Sequence, residues 1–171
     1  MPKVQKSYLF SHDIDWFFKH GDKLIHCASN GSILPDKAND NQLLRATQDI
    51  ISLLPDIFSD EEIIRNQYYL DTYVNQYPEE LRRLIPFEED ELINIHLSSF
   101  IAMAKKGFWS YDHIYDVKDN QYILVANPPE VPDYSDILAK EHPLLKDKLN
   151  DLIQSLDIKI DDKLPSLISI Y

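Results

Sequence analysis

The chain holds a single cysteine, Cys27. No disulfide can form within it, so its stability must come from apolar burial and hydrogen bonding. Glycine is equally scarce. Gly21, Gly31 and Gly107 are the only three, which leaves no material for a glycine-rich phosphate loop. A zincin helix, a serine elbow and a cysteine pair are also missing, so the easily read enzyme classes are excluded. No apolar run approaches the length of a membrane-spanning helix, about 20 residues. The opening residues, Met1 to Lys6, lack the apolar region of a signal peptide, and a cytoplasmic location is the expectation. Positive charge is the last shortage. Seventeen Lys and Arg face 29 Asp and Glu, a formal charge of −12. That argues against direct binding to nucleic acid or an anionic membrane, and is compatible with a basic protein partner.

What is present suits one globular domain over residues 1–171, with an ordinary apolar share of 44%. The densest stretch is Asp13 to Ser29. Gly21-Asp22 is a two-residue loop with glycine first, the sequence form of a type II′ turn. That turn would pair Lys19 with Leu24, Phe17 with His26, Trp16 with Cys27 and Asp15 with Ala28. Because side chains alternate across a strand, Ile14, Trp16, Phe18, Ile25 and Cys27 share an apolar face that must be buried. Asp13, Asp15, Phe17, Lys19, Leu24 and His26 share the other, which is half polar and expected to face solvent. Asn30-Gly31 is a second turn signal, with a short return strand expected at residues 32–34.

Helical spacing predicts helices over about 40–54, 59–75 and 88–106. The second opens on the capping box Ser59-Asp60-Glu61-Glu62; the third stops at Gly107. A short helix is expected from Pro78 and another over about 143–156. Residues 109–115 and 121–126 alternate as a second hairpin, and short strands are expected at 158–160 and 167–170. Two hairpins, about 13–34 and 109–126, with helices between and after them, predict an α+β fold: an antiparallel sheet packed against four or so helices.

Three sets of residues could carry function. Asp15 and His26 form a diagonal cross-strand pair. A carboxylate beside an imidazole raises its basicity and orients the ring, which suits acid–base catalysis. Asp13 and Asp15 lie on one strand face and, with His26, could hold a divalent metal such as Mg²⁺ or Mn²⁺; no other cofactor is implied. Tyr69, Tyr73 and Tyr77 with Trp109 could line a partner-binding surface, since Tyr and Trp are enriched at interfaces. His96 reads as a satisfied core histidine. The leading functional expectation is a non-enzymatic acidic interaction protein, an inhibitor or immunity-type binder of a basic, nucleic-acid-acting partner. The alternatives are a small metal-dependent hydrolase using Asp13, Asp15 and His26, and a structural subunit of a larger assembly.

Overall fold

The computed structural model describes residues 3–5, 8, 12–32, 34–36, 38–76, 89–113, 121–134, 148–149, 153, 158–160 and 167–170. Among the described residues its frame is a seven-stranded sheet. In chain order the elements are β1 (Asp15–His20), β2 (Lys23–Ala28), α1 (Asn41–Ser52), a 3₁₀ turn (Asp60–Glu62), β3 (Ile64–Arg65), α2 (Gln67–Gln76), α3 (Glu89–Lys105), β4 (Phe108–His113), β5 (Gln121–Asn127), β6 (Ile158–Ile160) and β7 (Leu167–Ile170). The strands lie in the order β1-β2-β4-β5-β7-β6, with β3 paired to β5 off that path.

The first hairpin forms with the register its turn dictates: Asp15 pairs with Ala28, Trp16 with Cys27, Phe17 with His26 and Lys19 with Leu24. Gly21 supplies the positive φ of the turn, at 61°, where a side chain would be strained. Asn30 and Gly31 both take positive φ, as their turn signal requires, and Ser32 N donates to Ser29 O at 2.9 Å. Ser32 and Leu34, the described residues of the expected return strand, are not in a strand.

The expected antiparallel sheet of two hairpins does not form. β2 runs parallel to β4, with His26 beside Ser110 and Ala28 beside Asp112, so the sheet is mixed. Three α-helices are seen among the described residues rather than four or so. The proposed helix from Pro78 lies outside the described residues. So does most of the stretch 143–156, of which Lys148, Leu149 and Ile153 are described. The capping box at Ser59 is present, but it closes only one 3₁₀ turn. Asn66 explains the interruption. Its backbone N–H donates to Val125 O at 2.9 Å and its side-chain amide to Leu124 O at 2.6 Å, which holds Ile64 and Arg65 extended against β5. Its side-chain oxygen then accepts from Tyr68 N and opens α2.

α1 starts where Asp40 accepts from Gln42 N and Leu43 N, satisfying donors a helix leaves free. It turns Leu44, Thr47 and Ile51 inward. Leu44 packs with Trp16, Phe18 and Tyr111 on one sheet face; Ile51 packs with Leu24 and Phe108. α3 presents Leu97, Phe100, Ile101 and Ala104, an i, i+3, i+4, i+7 stripe, to the face that carries His26, Ser110 and Asp112. Both faces are therefore covered. This corrects the reading of the half-polar face as solvent-facing: β2 is an interior strand, and Leu24 through Ala28 are all buried. Among the described residues no helix is long and apolar enough to cross a membrane.

Candidate functional site

The polar residues brought together under α3 come from strands that are far apart in sequence. β1 supplies Asp15, β2 supplies His26, and β4 supplies Ser110 and Asp112. β-strand alternation puts all four on one face, and the parallel β2–β4 register sets His26 directly beside Ser110.

His26 Nε2 lies 3.0 Å from Asp15 Oδ1, and Nδ1 lies 2.5 Å from Ser110 Oγ. Burial raises the affinity of the Asp15 carboxyl for a proton, but the hydrogen bond and charge interaction with His26 outweigh it and hold Asp15 below its ordinary value. An ionised Asp15 can only accept, so Nε2 carries the proton. On a neutral ring, Ser110 Oγ–H then donates to Nδ1.

Serine, histidine and aspartate are the residue types of a nucleophilic triad. Access decides against that chemistry here. Ser110 is 0% exposed and His26 is 1% exposed, so the hydroxyl has no path to an incoming carbonyl. The series runs inward, from a carboxylate whose side chain is 42% exposed to a sealed hydroxyl, and it ties three strands together.

A second network lies across Phe100. The Tyr69 hydroxyl donates to Asp112 Oδ2 at 2.8 Å and lies 2.6 Å from His96 Nε2. The Phe100 ring separates the networks, with its centre 6.0 Å from that of His26 and 5.8 Å from that of His96. Burial, opposed by the Tyr69 hydrogen bond and helped by the Asp13 charge, pushes the Asp112 carboxyl up to about 7. Burial also lowers His96.

The sequence-predicted residues fall as follows. Asp15 and His26 meet as expected from the hairpin register, the ring buried and the carboxylate partly exposed. Asp13 points elsewhere: its Oδ1 accepts from Asn30 N at 2.6 Å and from Ser29 Oγ at 3.4 Å. The two carboxylates hold different partners instead of converging, and among the described residues no group of three or more His, Cys, Asp or Glu could hold a metal ion. Tyr69 is 1% exposed and Trp109 is 9% exposed, so both are core residues in this structure. The Tyr73 side chain and Tyr77 lie outside the described residues. Cys27 is fully buried and its thiol is pushed well up, which keeps it protonated and inert.

Ser110 and Asp112 were missed. The alternation of Ser110 and Asp112 with Trp109, Tyr111 and His113 marked one polar strand face. Only the β2–β4 pairing, which no local pattern encodes, makes that face internal.

Comparison of the chain with protein-family models, curated proteins and solved structures finds no match. The functional reading therefore rests on the residues themselves.

Proposed function

We propose that the chain is a non-enzymatic acidic interaction protein of the cytoplasm that binds a basic protein partner, one that itself acts on nucleic acid, and inhibits it. The observation that carries this reading is the set of exposed acidic and apolar side chains between Asp60 and Asp71, outside the buried Ile63 and Tyr69. Asp60, Glu61, Glu62 and Asp71 stand exposed there, beside Ile64 at 50% and Tyr68 at 49% exposure. Interfaces draw their binding energy from apolar and aromatic anchors, with charges around them setting approach and specificity. The formal charge of −12 attracts a basic partner and repels phosphate backbones and anionic lipid. The sealed state of Ser110 and His26 favours binding over hydrolysis.

The test starts with the tagged full chain in extract of its own cells, washed at low and then high salt. A basic protein should be held at low salt and released at high salt, and the nucleic-acid activity of that purified protein should fall as the chain is added. Glu61→Lys combined with Tyr68→Ala should weaken the pair at least tenfold without moving the melting temperature by more than a degree or two. A partner that is held independently of salt, or undiminished affinity of the double variant, would overturn the proposal.

A further inference from the structure

A cleft of about 570 Å³ lies between the amino-terminal segment and α1. Small-molecule sites run to roughly 300–1,000 Å³. One wall is the face of α1 that carries Asn41, Leu44, Arg45 and Gln48, residues spaced three and four apart. Gln48 Nε2 donates to Asp15 O at 3.0 Å, which fixes this turn of the helix against β1. The segment opposite is also tied down. Lys3 Nζ pairs with Asp36 at 2.6 Å, and Val4 N donates to Asn39 Oδ1 at 2.9 Å. Asp13 and Ile14, leading into β1, complete the lining.

Two opposite charges line this cleft without meeting. Arg45 is exposed and has no ion-pair or hydrogen-bond partner among the described residues. Asp13 Oδ1 accepts from Asn30 N and Ser29 Oγ; among the described residues its Oδ2 holds no hydrogen bond. The charge of Lys3 is already balanced by Asp36. The cleft therefore offers one cation and one anion, each with hydrogen-bonding capacity unused. A simple anion would gain Arg45 but meet Asp13, in a chain at −12. A simple cation would gain Asp13 but meet Arg45. A molecule carrying both charges satisfies both.

We propose that this cleft binds a di- or tripeptide with free ends, its carboxylate on Arg45 and its ammonium on Asp13. The planar guanidinium fork matches a carboxylate, which it can hold through two parallel hydrogen bonds. An ammonium brings three donors to a carboxylate that can only accept. The Gln5 and Asn41 side-chain amides, each donor and acceptor, match the peptide groups between the two ends. Val4, Ile14 and Leu44 give apolar lining for the peptide's side chains. Tyr8 adds a ring that is 50% exposed and stacked on His12, with 3.9 Å between centres. A free amino acid would carry the same charges but leave most of this lining wet. The inference is independent of the binding reading, which uses the surface between Asp60 and Asp71.

The test is NMR of the isotope-labelled full chain, titrated with the free-ended tripeptides Ala-Ala-Ala, Ala-Leu-Ala and Ala-Phe-Ala. At least one should give saturating shift changes at Ile14, Asn41 and Arg45. Its N-acetyl and C-amide forms should each bind at least tenfold more weakly, and so should free alanine and inorganic phosphate. Arg45→Gln should erase the preference for a free carboxylate. Asp13→Asn should erase the preference for a free ammonium; asparagine can still accept from Asn30 N and Ser29 Oγ, so the turn there is kept. Failure of all three peptides to bind would overturn the proposal. So would blocked ends that bind as well as free ones, phosphate filling the cleft as tightly as the peptide, or both preferences surviving in either variant.

Discussion

At the scale of single residues, His26 illustrates how position sets the value of a hydrogen bond. The imidazole is almost wholly enclosed and both nitrogens are engaged. Removing the Ser110 hydroxyl would leave Nδ1 in a site water cannot enter, which costs about 1–3 kcal/mol. Removing the Asp15 carboxylate opens its place to solvent, because that side chain is 42% exposed, and water can take over part of its role. Ser110→Ala is therefore expected to lose more stability than Asp15→Ala in urea unfolding. The reverse order would mean that the carboxylate, not the hydroxyl, holds the ring. The Asp15–His26 meeting was legible because the turn at Gly21-Asp22 fixes the register. Ser110 was not, because its neighbour across the sheet lies more than three elements away along the chain.

At the scale of elements, the junction after α3 is constrained twice over, by backbone conformation and by close contacts. Gly107 ends the helix with φ at 92°, a conformation that penalises any Cβ by about 1–2 kcal/mol. A Cβ there would also fall on the Tyr134 hydroxyl and the Pro132 ring. Tyr134 in turn donates to Lys106 O at 2.5 Å, closing the loop after β5 over the helix end. Gly107→Ala is expected to lower stability by roughly 3 kcal/mol, the sum of backbone strain and a contact that must shift. A calorimetric melt within a degree of the parent would show that the Pro132–Tyr134 loop yields freely. The stop at Gly107 was readable because glycine after a basic last turn has a local cause. The helix expected after Ser59 was misread for the opposite reason. Its local capping signal is real, yet Asn66 binds two backbone groups of β5, and that long-range anchoring prevails over local preference.

At the scale of the whole molecule, the parallel β2–β4 pairing makes the fold. It brings the hairpin, which the sequence patterns describe well, against a strand from the far side of three helices. That pairing turns a face read as solvated into the interior, and it carries an electrostatic consequence. Asp15 is held below its ordinary value, so its contribution is present above the unfolded value, near 4, and is lost as pH falls. Asp112 is raised to about 7, so the fold prefers its protonated form. Its contribution is present below pH 4 and is lost as pH climbs toward 7, at a limit of about 1.4 kcal/mol per pH unit. Greatest stability is then expected on the acid side of neutral, close to the isoelectric point of 4.8, where net charge no longer keeps molecules apart. Self-repulsion of a chain at −12 slopes the same way, but salt screens surface charge and leaves a buried carboxyl largely untouched. Unfolding free energies between pH 4.5 and 8 in 0.5 M salt separate the two. The parent should still lose stability as pH rises to 7, and Asp112→Asn should be nearly flat. Parallel profiles for the two proteins would place the slope on the surface charge and leave Asp112 ionised in the fold.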